Sequence, residues 1–419
     1  MDRILRAREE RSALIKSKLS ESSETIIIIK ANIIGVDKNP YYALLIINIF
    51  YRLIKELFEI SNTEFFESLD GPFYLLRTKV KAEDVKLKCI DLEEKHLIGR
   101  LVDIDVYFGN GSLSRKQFNR GFRKCLVCSE DAVICMRMMS HTLEEIREKE
   151  NQRIKKYFKK ILEKYIDEAI TLEANLDPKF GLVTKKTNGS HKDMDYSLLM
   201  KSKYVILDDL VEMFFIGFEN DLLDGFFKAR KLGISTEIKM YEVTTGVNTY
   251  KGLIFILGIT LVALGFAIKN KRKDLFSLIK IIGKDLTTEL DTEVNTFGKF
   301  AYINYGFLGA RGEVHSGLEN VKAAKDILTE LSNEALTLTL IHLIKNVEDT
   351  VLLKRSKTID KYKYYKNLVG GIEEYNYDII NLVTDECIKN NISFGGSADL
   401  LITTIFIKLI EEELGVIYE

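Results

Sequence analysis

The stretch that decides the fold runs from Thr244 to Ile268 and reads TTGVNTYKGLIFILGITLVALGFAI. A polar loop with two glycines leads directly into 16 uncharged residues, Leu253 to Ile268. Because no face of this segment is polar, it predicts a helix that is buried on all sides in a protein core. The alternative is a membrane span, since Lys251 and the basic run from Lys269 to Lys273 flank the segment. A span needs about 20 apolar residues, so we favour the core helix.

The start of this helix is a candidate site for a phosphate group. The first N–H groups of a helix have no partner within the helix, and they lie at the positive end of its dipole. Lys251 lies in the first turn, and Asn248 or Thr249 can cap it. Gly246 and Gly252 let a ligand approach the backbone closely. We therefore predict that Asn248 and Lys251 bind substrate.

Length and composition indicate a reduced chain of two or three domains. It has 419 residues, more than one domain usually contains. Its 61 lysines and arginines balance 62 acidic residues, so no overall field recruits nucleic acid or an anionic membrane. The segment MDRILRAREER at residues 1–11 is too charged for a signal peptide, and five cysteines do not form a disulfide framework in a chain of this length. We therefore expect a cytoplasmic protein.

The first part of the chain has the patterns of an α+β domain. β-branched runs and alternating residues predict strands at 25–34, 73–80, 85–92 and 100–108, with helices at 3–19 and about 40–60. The dipeptide Asn110-Gly111 predicts a hairpin after the last strand.

After the predicted hairpin and the residues up to Thr142, the rest of the chain shows only helical periodicity. The capping pair Thr142 and Glu145 begins a charged helix that reaches about Asn175. Because the period changes near residues 150–160, we expect an α+β domain at 1–155 and an all-α domain at 156–419.

The predicted strand at 100–108 carries two carboxylates. Its apolar residues alternate with Asp103 and Asp105, so both carboxylates project from the same face. Two acids so placed can hold Mg²⁺ that neutralises a polyphosphate, and Arg100 precedes them as a phosphate-binding candidate. The alternative is the solvent-exposed polar face of an antiparallel strand.

Four residues of the types that bind zinc follow within 17 positions: Cys125, Cys128, Cys135 and His141. Thiolates and imidazole suit Zn²⁺, although the spacing is not that of a standard finger or ribbon. The alternative is a set of buried, reduced cysteines beside a surface histidine. Arg115, Arg123 and Arg137 flank this segment and can clamp phosphates, although isolated arginines are usually surface charges.

Polar loops, several of them with glycine, separate the helices of the second half. Each offers a carboxylate or a cation, so together they predict a convergent site for Mg²⁺ and phosphate at the helix ends. The candidate catalytic carboxylates are Asp193, Glu237, Glu313, Asp349 and Asp399, and the candidate binding residues are Lys179, His191, Arg311, Gly395, Gly396 and Ser397. Ser397 is also the expected cap of the last helix, and any single loop is as well explained by a cap or an ordinary turn.

Several strings occur in the order found in two enzyme families. Residues 1 to about 150 resemble the citrate lyase holo-acyl-carrier-protein synthase family through REER, Lys38 after the first strand, GRLVDIDV at 99–106, SR at 114–115, and RKCLVC with Cys135, Arg137 and His141. From about 155 onward the chain resembles the triphosphoribosyl-dephospho-coenzyme A synthase family through PKFGLV, NGSHKDMD, TTGVNTYKG, GARGE, DT at 349–350, and GGSADLL. The arrangement is similar to the fused, bifunctional form of these enzymes.

The resemblance implies a two-step route. The C-terminal domain would join ATP to 3′-dephospho-coenzyme A: a ribose hydroxyl of the acceptor attacks the anomeric carbon of ATP, and adenine leaves. The N-terminal domain would then transfer the phosphoribosyl-dephospho-coenzyme A unit to a serine of the apo-acyl carrier protein, the γ subunit of citrate lyase, with release of pyrophosphate. Mg²⁺ and carboxylates suit the first step, and metal-holding carboxylates with cations suit the second.

The chain departs from the family strings at Phe180, Thr184, Tyr250 and Phe394. Tyr250 stands where the family has histidine, which argues against a general base at this position. Two rival hypotheses are an all-α hydrolase of ribosyl bonds that uses water, and a non-catalytic scaffold that binds the carrier protein. Adenine release separates them, because only the synthase needs dephospho-coenzyme A for it.

Overall fold

The β-branched run that begins at Thr25 forms the central strand of a sheet in the first of two structural units. The computed structural model describes residues 2–109, 111–292 and 296–419. By its contacts the chain divides into Met1–Ile161 with Glu412–Val416, and Leu162–Glu411 with Ile417–Glu419. The first unit is α+β and the second is all-α, as the sequence predicts.

The sheet of the first unit has five antiparallel strands. They are β1 (Thr25–Ala31), β2 (Asn62–Phe66), β3 (Phe73–Thr78), β4 (Val102–Phe108) and β5 (Gly111–Ser112), in the order β2-β3-β1-β4-β5. The strands predicted at 25–34, 73–80 and 100–108 are confirmed with shorter bounds. Tyr107 pairs with Ser112, so β4 and β5 form the predicted hairpin, although Asn110 itself lies outside the described residues.

The helices of this unit are α1 (Asp2–Glu21), α2 (Tyr42–Leu57), α3 (Ala82–Lys95), α4 (Ala132–Arg137) and the first part of α5 (Leu143–Asn175), with short 3-10 helices at Gly99–Leu101 and Arg115–Phe118. The predicted capping box of α5 is confirmed. Thr142 N donates to Glu145 Oε2 at 2.8 Å, and Glu145 N donates to Thr142 Oγ1 at 3.2 Å.

The strand predicted at 85–92 is wrong, because these residues form α3. The buried residues of α3 are spaced by three or four positions, as in Ala82, Val85 and Cys89, which is the helical period. β2 is not predicted from the sequence, since its residues are exposed or half-buried and show no clear apolar face.

Two side chains of α3 complete the open edge of β4. Ile104 N donates to Glu93 Oε1 at 3.0 Å, and Lys86 Nζ donates to Ile104 O at 3.1 Å. All three residues are buried, so an edge that β5 is too short to cover keeps its backbone groups satisfied.

α1 covers the face of the sheet that carries the two predicted carboxylates. Ile15 of α1 packs against Ile26 and Ile28 of β1. Asp103 lies on the same face, directly opposite Lys30 in the register of β1 and β4. One end of this face is therefore apolar and the other is charged.

Within the described residues of the second unit, every regular element is a helix. After the second part of α5 come α6 (Tyr196–Glu219), α7 (Leu222–Val243), α8 (Lys251–Lys269), α9 (Leu275–Gly283), α10 (Glu289–Thr292), α11 (Phe297–Tyr305), α12 (Gly309–Ser316), α13 (Glu319–Ile327), α14 (Asn333–Asn346), α15 (Thr350–Ser356), α16 (Ile359–Gly370), α17 (Tyr377–Lys389) and α18 (Gly395–Leu414).

α8 is the core helix that the sequence predicts. Among the described residues it alone is long and apolar enough to cross a membrane, and 78% of its apolar window is buried within the protein. α6 crosses it at two glycines: a Cβ on Gly217 would lie 2.1 Å from Val262 O, and a Cβ on Gly265 would lie 2.2 Å from Phe214 O. Only glycine allows this approach of the two backbones, so the two residues hold the C-terminal half of α8 against α6.

Two candidate active sites and a cysteine cluster

A cleft of about 990 Å³ in the second unit brings together most of the polar residues predicted for it. The predicted residues that line the cleft are Lys179, His191, Asp193, Glu237, Asn248, Lys251, Arg311, Glu313, Gly395, Gly396 and Asp399. Asp349 and Ser397 are buried and are not among its lining residues. Widely separated charged side chains therefore meet at one concave site, as expected for a charged ligand. Their individual roles stay predictions.

The N-terminus of α8 opens into this cleft. Asn248 Oδ1 accepts a hydrogen bond from Lys251 N at 3.1 Å, so Asn248 satisfies one of the free donors of the helix. Thr249 instead bonds Ser202, with 2.5 Å between the two hydroxyl oxygens. The Lys251 Nζ atom lies 2.9 Å from Glu237 Oε2 at the rim.

The side chain of Asp399 packs against the first turn of α8, next to Gly252. A Cβ on Gly252 would lie only 2.1 Å from Asp399 Oδ2, so this carboxylate requires a glycine at position 252. Burial, together with the negative charge of Glu173, holds the pKa of Asp399 well above its ordinary value. The helix end predicted to receive a phosphate is thus already next to a carboxylate.

Glu173 and Lys179 form a buried ion pair in the cleft wall. Lys179 Nζ lies 2.8 Å from Glu173 Oε1 and 2.7 Å from Glu173 O. The hydroxyl of Tyr250 is buried nearby and has no hydrogen-bond partner among the described residues. Burial and the charges of Glu173 and Asp399 raise the pKa of Tyr250 well above its ordinary value, so this hydroxyl stays protonated.

Glu313 of α12 is a buried carboxylate with one free oxygen. Its Oε1 accepts a hydrogen bond from Asn320 Nδ2 at 2.8 Å, whereas Oε2 has no partner among the described residues. Burial, reinforced by the charge of Glu348, raises the pKa of Glu313 to about 7. Such a group changes its protonation state near neutral pH.

His191 is held as a neutral ring by two neighbours. Arg355 Nη2 donates to His191 Nδ1 at 2.9 Å, and Nε2 lies 3.1 Å from Ser393 Oγ. Because arginine can only donate, Nδ1 is the acceptor and the proton of the neutral ring sits on Nε2. Burial and the positive charge of Arg355 lower the pKa of His191 to about 4. His191 therefore offers a hydrogen-bond donor rather than a positive charge.

Asp349 caps the N-terminus of α15 and joins it to the first turn of α18. Its Oδ1 accepts from the backbone N–H groups of Val351 and Leu352 at 2.9 and 3.0 Å. Its Oδ2 accepts from the backbone N–H and hydroxyl of Ser397 at 2.9 and 3.0 Å. Ser397 therefore donates to Asp349 and does not cap α18, which begins at Gly395. Both carboxylate oxygens of Asp349 are therefore engaged within the protein.

The first unit contains a second charged site, organised by buried Glu93. Arg115 Nη1 lies 3.0 Å from Glu93 Oε2, and Arg123 Nη2 contacts Glu93 Oε1. The other end of the Arg123 guanidinium reaches Asp103, with 2.5 Å between Nη1 and Oδ1. Arg115 and Arg123 also line a cavity of about 680 Å³. Arg115 and Arg123 thus both bind Glu93, and Arg123 links Glu93 to Asp103.

Asp105 adds a second carboxylate next to this site. The surrounding protein, and then the like charge of Asp103, raise the pKa of Asp105. A divalent cation would remove this repulsion, so the pair fits a metal-binding role. Asp103 is about half exposed and Asp105 is exposed, as a polar strand face also predicts, and Asp103 contacts Arg123 of the arginine cluster.

The other predicted residues of the first unit lie nearby in the fold. Lys38 Nζ donates to Ile33 O at 2.5 Å, and Arg100 Nη2 donates to Lys124 O. Buried Asp70 forms ion pairs with basic residues of α1 and β1, namely Arg8 at 2.9 Å, Arg11 at 3.0 Å and Lys30 at 2.8 Å. The REER string thus contributes cations at the charged end of the sheet.

The four predicted zinc-type ligands converge. One ligand atom from each of Cys125, Cys128, Cys135 and His141 lies within 4.8 Å of all the others. Cys128 Sγ is 3.4 Å from Cys135 Sγ and 3.3 Å from His141 Nε2. All five cysteines of the chain are free thiols. This Cys₃His set can hold a metal ion.

Two family models match adjacent parts of the chain. Residues 1–157 match apo-citrate lyase phosphoribosyl-dephospho-CoA transferase, and residues 159–417 match ATP:dephospho-CoA triphosphoribosyl transferase. Protein CitXG of Leuconostoc mesenteroides subsp. cremoris is 32% identical over 401 aligned positions, covering 87% of this chain and 86% of that protein. The chain belongs to the fused CitXG family.

Further relatives agree with this CitXG membership. Protein CitXG of Haemophilus influenzae is 29% identical over 459 aligned positions, covering 97% of this chain and 95% of that protein. The 2-(5''-triphosphoribosyl)-3'-dephosphocoenzyme-A synthase of Haemophilus ducreyi is 30% identical over 324 positions, covering 67% of this chain and 98% of that protein. The chain is therefore a bifunctional transferase of citrate lyase prosthetic-group synthesis.

Three residues of the candidate sites in this CitXG-family chain are not predicted from the sequence. Glu173 is one of many acids in a long charged helix, and Arg355 lies in a short one. Glu93 lies in α3, directly after the segment 85–92 that the alternation of residues misassigns to a strand. Each of these residues belongs to a site because of contacts with residues elsewhere in the fold, and a local sequence pattern does not show such contacts.

Proposed function

We propose that the cleft of the second unit joins ATP to 3′-dephospho-coenzyme A. A ribose hydroxyl of the acceptor attacks the anomeric carbon of ATP, the N-glycosidic bond breaks, and adenine leaves. The observation that carries this proposal is a single cleft that combines cations for a triphosphate, Lys251 and Arg311, with the buried carboxylate of Glu313.

Within this proposal Glu313 is the general base. A base is most effective when its pKa lies near the working pH, and the pKa of Glu313 is about 7. Its free Oε2 can accept the proton of the attacking hydroxyl. His191 is a weaker base at a pKa of about 4, and Tyr250 stays protonated, which suits a donor.

Mg²⁺ would link the triphosphate to Asp399. A phosphate that approaches the first turn of α8 meets the carboxyl group of Asp399 beside Gly252, and the raised pKa of Asp399 reflects how unfavourable a negative charge is at this position. Asp399 would be a ligand of a divalent cation bound here, and the cation would stabilise the ionised carboxylate and neutralise charge on the triphosphate. Glu173 is the second candidate ligand, because its charge already acts on Asp399.

Adenine release tests this assignment. The chain is incubated with ATP and Mg²⁺, with and without dephospho-coenzyme A, and free adenine is measured. The proposal requires adenine only when both substrates are present. A ribosyl hydrolase would release adenine from ATP alone, and a scaffold would release none.

The site around Asp103 would carry out the second reaction. A serine hydroxyl of the apo-acyl carrier protein, the γ subunit of citrate lyase, attacks the phosphorus next to the ribose, and pyrophosphate leaves. Asp103 and Asp105 are suited to hold Mg²⁺, and Arg115 and Arg123 are suited to stabilise the departing pyrophosphate. Lys38 and Arg100 are further candidates for binding the substrate.

Zn²⁺ is the metal that fits the Cys₃His cluster best. Three thiolates and one imidazole form a soft tetrahedral donor set, whereas Mg²⁺ prefers oxygen ligands. Free thiols at all five cysteines suit a reducing compartment, and we place the enzyme in the cytoplasm.

A further inference from the structure

The segment that contains the cysteine cluster has almost no hydrophobic core. From Gly111 to Thr142, Cys135 is the only buried residue. Phe122 and Ile134 are about half exposed, and Met139 is almost fully exposed. A segment that buries so little apolar surface usually needs a disulfide or a metal ion to hold one conformation. The cysteines here are free thiols, which leaves the metal.

The cluster joins three separate pieces of this segment. Cys125 and Cys128 come from a loop, Cys135 from α4, and His141 from the residues before α5. In a tetrahedral site with Zn–S distances near 2.3 Å, ligand atoms lie about 3.7 Å apart. Two of the observed separations are 3.3 and 3.4 Å and all lie within 4.8 Å, so the ligand atoms reach this arrangement with shifts of up to about 1 Å.

A short hairpin connects the cluster to Arg123. Ala132 N, at the start of α4, donates to Arg123 O at 2.8 Å, and Cys125 N donates to Glu130 O at 2.7 Å. Fixing α4 and Cys125 around one ion therefore fixes the backbone of Arg123. The guanidinium of Arg123 in turn reaches Asp103 and Glu93.

We propose that Zn²⁺ bound by this cluster is a structural ion that holds Arg123 in the carrier-protein transfer site. The inference rests on the proposed function of that site. The ion touches no substrate, and Arg123 is the residue through which it acts. Loss of the ion frees the loop and removes Arg123 from Asp103, while the adenine-releasing cleft is unaffected.

Metal content and protease sensitivity test the ion itself. The wild-type chain and the control Met138→Ala, an exposed residue of the same segment, should each hold one zinc per chain after dialysis, and Cys128→Ser should hold less than a tenth of that. Replacement by Co²⁺ should give the absorption of cobalt–thiolate bonds.

Trypsin should cut after Arg123, Lys124 or Arg137 at least 10-fold faster once a chelator is added. A wild-type chain that binds neither metal overturns the proposal.

A double-variant comparison tests the route through Arg123. With the triphosphoribosyl intermediate supplied, Cys128→Ser should slow carrier-protein labelling 10- to 100-fold, leave adenine release unchanged, and recover in Cys128→His, which restores a zinc ligand. In an Arg123→Ala background, Cys128→Ser should cause no further loss. Additive losses would show that zinc does not act through Arg123. If the wild type catalyses neither reaction, the proposed function fails, while metal content and proteolysis still decide the zinc site.

Discussion

At Glu313, the same burial that makes a charge unfavourable raises the pKa into the range of a general base. We predict that Glu313→Gln lowers the rate of adenine release by 100-fold or more, since a positioned base contributes on the order of 10² to 10⁴ in rate. In the wild type the rate should fall as the pH drops below about 7, where the carboxylate becomes protonated. Glu330→Gln, at an exposed position of the same unit whose charge does not act on Glu313, is the matched control and should keep both rate and pH profile. An unchanged rate in Glu313→Gln would remove this residue from the mechanism.

The raised pKa of Glu313 also predicts how stability depends on pH. The folded pKa is about 7, above the ordinary value of 4.5, so the protonated form favours folding. This contribution is complete below a pH of about 4.5 and is lost as the pH rises from there through about 7. Glutamine stays neutral, so Glu313→Gln should melt at a higher temperature than the wild type at about pH 8 and at nearly the same temperature at about pH 4. Thermal melts at both pH values check this. A difference independent of pH would mean that Glu313 is not a buried, titrating group.

Among the elements, the N-terminus of α8 places the tightest steric demand on the cleft. In Gly252→Ala the new methyl group would overlap Asp399 Oδ2, which lies 2.1 Å from the ideal Cβ position. We predict that Asp399 is displaced and that adenine release falls at least 10-fold. Gly233→Ala is the matched control, because this glycine also lines the cleft in a helix but its Cβ would have 3.6 Å of room. Equal activity of the two variants would contradict the placement of Asp399.

Helices and strands whose burial follows from their own sequence pattern were predictable, whereas α3 was not. The apolar run of α8 indicates a buried helix, and the alternation of β4 indicates a strand with one buried face. In α3 the alternation of Val85, Lys86 and Leu87 indicates a strand, yet Lys86 is buried and Leu87 is exposed. Lys86 turns inward because it donates to Ile104 O at the edge of β4. That contact is tertiary, so the local pattern contains no trace of it.

The site residues that lie in polar loops or in short motifs were predictable from the sequence. The cleft contains most of the selected carboxylates and cations, and the four zinc-type ligands meet. Glu173 and Arg355 were not predictable, because each is one charge among many on a helix. Arg355 acquires its part only by donating to His191, 164 positions away.

At the scale of the whole molecule, the two candidate sites lie in different units. We therefore expect that the N-terminal part of the chain is not needed for the reaction that releases adenine. Every residue that lines the cleft lies between Glu173 and Ile402. We predict that residues 156–419 expressed alone release adenine from ATP and dephospho-coenzyme A. Circular dichroism and thermal melting establish whether the fragment is folded. A folded fragment without adenine release would show that the cleft needs residues of the N-terminal part.

The most direct test of the account measures both products in one reaction of Asp103→Asn. Wild type and variant receive ATP, dephospho-coenzyme A and apo-acyl carrier protein, and free adenine and labelled carrier protein are quantified together. The account predicts adenine at the wild-type rate, accumulation of the triphosphoribosyl intermediate, and a loss of labelled carrier protein on the order of 100-fold, because a ligand to the catalytic cation is removed. Near-normal labelling by Asp103→Asn would contradict the assignment of the second reaction to this site, and loss of adenine release would contradict the separation of the two sites.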